Sequence, residues 1–141
     1  MLDPNGYVST CNSTNFFIIK SNEVWTSTGE YCLNGITRQS VIRICNQNKI
    51  VLKEKNFSVK DVLSADEIFV TGTFAGIIPV IRVDNTVIGD GIRGAMTKRL
   101  QDFYIADVHS NWFVYKKSPR EEAIWARGVL FEVITFSISY R

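Results

Sequence analysis

The sequence predicts one mixed α/β domain, and three observations carry that prediction. Short stretches rich in β-branched and aromatic residues open the chain, two segments repeat apolar residues at helical spacing, and a fully apolar triplet, Ile68-Phe69-Val70, has the composition of a core strand. With 141 residues, 45% of them apolar and 21% charged, the chain is long enough to bury about two-thirds of its unfolded surface around a single core.

In order along the chain, Val8-Ser9 and Phe16 to Lys20 read as strands, and Asn22-Glu23 is the turn into a further strand at Val24-Trp25-Thr26, so the chain opens as a β-meander. From Arg38 to Asn48, Val41, Ile42, Ile44 and Cys45 recur at helical spacing, with Thr37 ahead of them as N-cap. Ile50-Val51-Leu52 follows as a strand. Ser58 begins a short helix through Val62-Leu63, where Ser58 and Asp61 have capping-box spacing; Asp in place of Glu or Gln makes this cap weaker than the full motif. After the core triplet, Val80 to Val83 and Val87-Ile88 form a hairpin around Asp84-Asn85-Thr86. Gly94 to Tyr104 reads as a helix with Met96, Leu100, Phe103 and Tyr104 on its buried side. Beyond about Ile105 the pattern changes. Leu130, Ile134, Phe136, Ile138 and Tyr140 alternate with Val129, Phe131, Val133, Thr135, Ser137 and Ser139, which suits an added edge strand. The chain thus divides into a domain over 1–106 and a divergent tail over 107–141.

Charge and cysteine usage exclude several function classes. The formal net charge is +2 and the lysines and arginines are scattered singly, so there is no footprint for a nucleic-acid backbone. Met1-Leu2-Asp3-Pro4-Asn5-Gly6 has neither a basic start nor an apolar run, and no uncharged apolar stretch approaches the roughly 18 residues of a membrane span. A cytoplasmic protein that binds no membrane is expected. Cys11, Cys32 and Cys45 are odd in number and lack C-x-x-C spacing, which reads as reduced thiols rather than a disulfide framework or a zinc site. His109 is the only histidine, so neither a Ser/His/Asp triad nor a multi-histidine metal site is indicated.

Two segments have the chemistry of an anion site. Gly35-Ile36-Thr37 lies where a loop enters the helix at Arg38, so free backbone N–H groups and the positive end of the helix dipole converge there. Spacing alone favours an ordinary capped helix over an anion site. Thr71-Gly72-Thr73 ends the apolar strand, and a glycine there lets amides and a hydroxyl approach an anion closely; the bland reading is a turn after a core strand. Gly89-Asp90-Gly91-Ile92-Arg93-Gly94 matches G-x-G-x-x-G, but it follows a short hairpin arm rather than the first strand of a βαβ unit, so a dinucleotide site is rejected. Asp66-Glu67 are adjacent on a strand and point to opposite faces, so they read as structural rather than as a catalytic pair.

Taken together, Gly6-Tyr7-Val8-Ser9-Thr10 before Asn15-Phe16-Phe17, Leu33-Asn34-Gly35-Ile36-Thr37-Arg38, Ala65-Asp66-Glu67 running into Gly72-Thr73, and Gly89-Asp90-Gly91 before Thr97 resemble the C-terminal half of class IV aminotransferases. These are pyridoxal-phosphate enzymes that include branched-chain and D-amino acid aminotransferases. The resemblance covers about Leu2 to Ile105 and implies an α/β (α+β) fold, most of the large pseudo-barrel domain of a fold type IV enzyme. It implies pyridoxal 5'-phosphate as cofactor, with the phosphate on Ile36, Thr37 and Thr73 and with Leu33 against the pyridine ring. It further implies that Thr73, Phe74 and Ala75 meet the substrate carboxylate, that an amino acid and a 2-oxo acid are the substrates, and that the intact protein is a homodimer.

The sequence departs from the family pattern twice. Thr10 stands where most members have a Glu that holds a proton on the pyridine nitrogen, and a neutral hydroxyl offers no such charge. A purely structural strand threonine is the other reading of this residue. The family's Schiff-base lysine lies upstream of the Gly-Tyr-Val strand, whereas Lys20, Lys49, Lys53, Lys55, Lys60, Lys98, Lys116 and Lys117 all follow it. Two readings result: the C-terminal part of an aminotransferase, inactive by itself, or a non-catalytic truncated remnant that binds at most phosphate or pyridoxal phosphate weakly.

Overall fold

The fold of the chain was examined in a computed structural model that describes residues 1–111 together with 134–136. β1 (Asn15–Lys20) and β2 (Glu23–Thr26) form an antiparallel hairpin whose turn residues, Ser21 and Asn22, both have positive φ. α1 (Ile36–Gln47) then crosses over to β3 (Leu52–Glu54), which pairs parallel with β2. α2 (Val59–Leu63) leads into β4 (Glu67–Gly72), which pairs antiparallel with β1 on its other side. β5 (Gly76–Val83) returns along β4, and β6 (Thr86–Val87) closes a hairpin on β5. α3 (Ala95–Asn111) follows. The sheet order is β3-β2-β1-β4-β5-β6, with β7 (Ile134–Phe136) parallel to β5. This is a mixed sheet with helices, the α/β class expected.

β1 lies inside the sheet and is buried from Asn15 to Ile19. Because side chains alternate along a strand, its two faces feed two cores. Phe16 and Ile18 join Ile68, Val70 and Val80 with Phe57 and Val62 below them. Phe17 and Ile19 join Phe69 under Val41, Ile44 and Cys45 of α1 and Leu100 of α3. Phe17 and Phe69 are directly paired across the strands and stack with ring centroids 4.7 Å apart. No helix among the described residues is long and apolar enough to cross a membrane.

Several expected boundaries shift. Val8-Ser9 is not a strand: Val8 forms an isolated bridge with Leu2 and donates its N–H to Phe57 O at 2.9 Å. α1 begins at Ile36, about two residues earlier than its apolar period suggests, and its N-cap is Gly35 rather than Thr37. Thr37 is buried inside the first turn. The strand expected at 50–52 moves to Leu52–Glu54, because Ile50 is still tied to the exit of α1 through its N–H to Cys45 O at 2.9 Å. The cap of α2 is complete: Asp61 N–H donates to Ser58 Oγ, and the Asp61 carboxylate accepts from Ser58 N–H at 3.0 Å. A shorter acid suffices because the Ser58 hydroxyl also donates to it, at 2.8 Å, and Lys20 reaches it at 3.2 Å. α3 continues past Tyr104, across the 106/107 division, to Asn111. Of the alternating stretch between 129 and 140, Ile134–Phe136 is a strand on β5, and the rest lies outside the described residues.

Hydrogen bonds from Ser58, first its N–H and then its hydroxyl, lower the Asp61 carboxyl to about 2, with Lys20 assisting. A carboxyl whose folded value lies below its ordinary 3.8 contributes stability that is present above that value and is lost as pH falls through the folded one. Asp61→Ala is therefore expected to cost about 1 kcal/mol at neutral pH, with the difference from wild type shrinking between about pH 4 and about pH 2 in urea titrations. A pH-independent difference would assign the cost to packing instead. Cys45 has no exposed surface, and burial pushes its thiol up to about 12. Iodoacetamide at pH 8 is expected to leave Cys45 unmodified in the folded protein and to alkylate it after unfolding, as read by peptide mass.

Candidate functional site

Antiparallel pairing puts the start of β1 beside the end of β4, with Asn15 directly opposite Thr71. The loop from Tyr31 to Gly35 and the first turn of α1 close over this edge and enclose a cavity of about 200 Å³. Its walls come from three places: Thr10 and Asn12 to Asn15 on the β1 side, Tyr31 to Leu33 and Gly35 to Thr37 from the loop and α1, and Thr71-Gly72 from the end of β4 with Thr73 of the turn after it.

Asn15 fastens the loop to the sheet. Its Nδ2 donates to Leu33 O at 2.6 Å and lies 3.6 Å from Cys32 Sγ. A Cβ at residue 35 would come within 2.5 Å of Asn15 Oδ1, so the α1 entrance seats against this carboxamide only because residue 35 is glycine. Arg38 ties down the far side of the loop. Its guanidinium is buried and donates to Ser27 O at 2.8 Å, to Asn34 Oδ1 at 3.0 Å and to Glu54 Oε2 at 2.6 Å. A buried cation is tolerated only with such a set of partners.

The chemistry of the cavity is that of an uncharged anion trap. Among the described residues no Lys, Arg, Asp or Glu lines it. Gly35 supplies no side-chain cap, and the first intrahelical bond of α1 is Gln39 N–H to Gly35 O at 3.0 Å. The N–H groups of Ile36, Thr37 and Arg38 thus lack intrahelical acceptors, at the positive end of the helix dipole. Two wall hydroxyls have their protons engaged: Thr10 Oγ1 donates to Thr14 O at 2.7 Å, and Thr14 Oγ1 donates to Cys11 O at 2.9 Å. The Thr71 hydroxyl is buried and has no hydrogen-bond partner among the described residues.

Thr10, Leu33, Ile36, Thr37 and Thr73 all line this one cavity. Leu33 and Ile36 are 82% and 64% exposed. Phe74, 98% exposed, and Ala75 sit in the β4–β5 turn beside Thr73 but do not line the cavity. Sequence reasoning placed Thr71 in the second anion segment and Asn15 at the head of a family motif, but it assigned neither a site role of its own and missed Cys32 as a wall residue. Their signal was weak: Asn15 is a polar residue heading an apolar strand, and Thr71 is masked by the more familiar Gly-Thr that follows it. Asp66 and Glu67 do point apart. Asp66 accepts from Ser21 N–H at 2.7 Å, while Glu67 accepts from Met96 and Thr97 N–H at 2.9 and 2.7 Å and so caps α3. In the Gly89 to Gly94 loop, Gly89 packs on Asp66 O and Gly94 on the Glu67 side chain; neither lines the cavity.

The chain is similar to several known proteins. The family model for amino-transferase class IV matches residues 1–83. The chain is 39% identical over 118 residues to the branched-chain-amino-acid aminotransferase of Pseudomonas aeruginosa, covering 79% of this chain and 38% of that protein. It is 36% identical over 102 residues to a D-alanine aminotransferase of Listeria monocytogenes, covering 72% and 35% respectively. Among solved structures, an aminotransferase from Brucella abortus bound to the cofactor PLP superposes with a TM-score of 0.71 at 32% identity, covering 76% of this chain and 38% of that one. The chain thus spans less than two-fifths of the length of each of these relatives.

Gly35→Ala forces a methyl group against the Asn15 carboxamide. It is expected to destabilise the fold by about 1–3 kcal/mol and to weaken binding of inorganic phosphate by disturbing the aim of the α1 amides. Calorimetric titration that finds unchanged phosphate affinity would place the anion elsewhere.

Proposed function

The chain belongs to the class IV aminotransferase family, and on that premise we propose that it forms the large-domain wall of a pyridoxal 5'-phosphate site. The enzyme it serves moves an amino group between an amino acid, of branched-chain or D-amino acid type, and a 2-oxo acid. The observation that carries this reading is the uncapped N-terminus of α1, opening on a cavity walled by hydroxyls and free of charged side chains. The residues fit such a group on two further counts. Gly35 leaves the loop room to seat on Asn15, and Thr71 keeps a buried hydroxyl without a partner.

In this arrangement the Ile36 and Thr37 N–H groups donate to the phosphate, and the Thr37 and Thr73 hydroxyls complete its shell. Leu33, exposed at the mouth, is free to lie against the ring. When bound, the cofactor supplies an aldehyde carbon and an electron-withdrawing ring. Thr10, its proton engaged on Thr14 O, offers only an acceptor lone pair toward the cavity.

Among the described residues no lysine lines the cavity, and Lys116 and Lys117 lie outside them. Lys20 is engaged with Asp61 and Ser64, Lys53 with Glu23, and Lys98 with Asp102. We infer that amino transfer needs a lysine from outside these walls, brought by a covering domain, and that the working form is a homodimer. The exposed apolar side chains Tyr31, Leu33, Ile36 and Phe74 around the mouth give such a cover a surface to rest on. The other reading, a non-catalytic remnant, draws its support from the neutral Thr10 at the back of the site.

The chain alone is expected to bind pyridoxal 5'-phosphate, with Thr73→Ala weakening it by about 3- to 10-fold, and to produce no 2-oxo acid from amino acids. Addition of a lysine-bearing N-terminal half from a relative is expected to restore transfer to 2-oxoglutarate. Cofactor binding without restored transfer would favour the remnant, and no binding at all would overturn the site assignment.

A further inference from the structure

We propose that the Thr71 hydroxyl, at the strand end of the second anion segment, is a further binding group of this cavity that serves the ring of a phosphorylated aromatic heterocycle rather than its phosphate, through one hydrogen bond. The proposal rests on the reading of the cavity as a cofactor site. Thr71 is 2% exposed, and its Oγ1 has no hydrogen-bond partner among the described residues. A buried hydroxyl in that condition destabilises the fold. Strand propensity does not call for it, because valine has the same shape and an equal preference for β-structure.

The register explains where this hydroxyl is placed. Thr71 stands opposite Asn15 on β1, so both side chains lie on the same face of the sheet, at the floor of the cavity. Asn15 spends its amide on Leu33 O, Thr10 spends its proton on Thr14 O, and Thr14 spends its own on Cys11 O. Thr71 therefore brings a hydroxyl to the cavity with no internal claim on it. Its β-branched side chain carries a hydroxyl and a methyl on one carbon, and one χ1 step moves the hydroxyl into the place the methyl held. A polar ring substituent at the floor rewards the rotamer that turns the hydroxyl toward it. Phosphate does not need that rotamer, because the α1 amides come from another wall and Thr73 follows in the turn beyond the end of β4.

Thr97 supplies an internal control. Its hydroxyl is also buried and has no partner among the described residues, but it belongs to α3 and does not line the cavity. Thr71→Val and Thr97→Val should each raise the melting temperature of the ligand-free chain by about 2–8 °C, since each removes an unsatisfied hydroxyl at constant shape. Only Thr71→Val should raise the dissociation constant for pyridoxal 5'-phosphate, by about 3- to 10-fold, with the constant for inorganic phosphate unchanged. Thr71→Ser should return the cofactor constant to the wild-type value. Wild-type cofactor affinity in Thr71→Val would overturn this proposal and leave the cofactor site standing. Parallel loss of phosphate and cofactor would also overturn it, by showing a collapsed cavity. A wild-type chain that binds inorganic phosphate but not pyridoxal 5'-phosphate would overturn the cofactor reading and this proposal together.

Discussion

The antiparallel pairing of β1 with β4 is the constraint on which the rest of this structure depends. It sets Phe17 on Phe69 at 4.7 Å in the middle of the sheet and, one pair further along the same face, Asn15 opposite Thr71. The stacked pair anchors the core under α1 and α3, and the polar pair begins the cavity. A slip of one residue would send both pairs to the opposite face, where Phe16, Ile18 and Val70 pack against Phe57 and Val62. Register, core and site are therefore one decision. The same pairing brings together segments more than fifty residues apart in sequence, so neither wall of the cavity exists before the sheet does.

The cavity is also held from outside by groups that do not line it. Arg38 joins Ser27, Asn34 and Glu54, and so links the end of β2, the loop and β3 to the base of α1. Glu67 caps α3 and keeps that helix on the sheet beside β4. Charge is thus used around the site to fix backbone, while the site itself presents amides and hydroxyls. That division suits a ligand that brings its own negative charge: fixed dipoles attract it without the desolvation cost of a buried lysine or arginine in the wall.

Much of the fold was legible because local patterns and tertiary structure agree. The helical period of Val41, Ile44 and Cys45, the apolar triplet 68–70 and the hairpin at 84–86 all appear where periodicity and turn chemistry place them. The disagreements arise where a contact distant in sequence outweighs a local preference. Thr37 has the chemistry of an N-cap, yet the contact between Gly35 and Asn15 starts the helix earlier and buries Thr37. Val8 has strand propensity but no neighbouring strand to pair with, and it bonds to Phe57 instead.

By itself the sequence determined the α/β class, the order of the main elements and a set of residues, Thr10, Leu33, Ile36, Thr37 and Thr73, that prove to share one cavity. The class and the element order follow from composition and periodicity, and the residue set follows from the resemblance of short motifs to class IV aminotransferases; all of these act over a few residues. Only the tertiary structure decided that Asn15 and Thr71 meet at the floor, that Arg38 is buried rather than solvated, and that Phe74 and Ala75 stand outside the walls. Each of these depends on strand register and on which hydrogen bonds are already taken, quantities that arise from pairing across the sheet and have no signature within either strand alone.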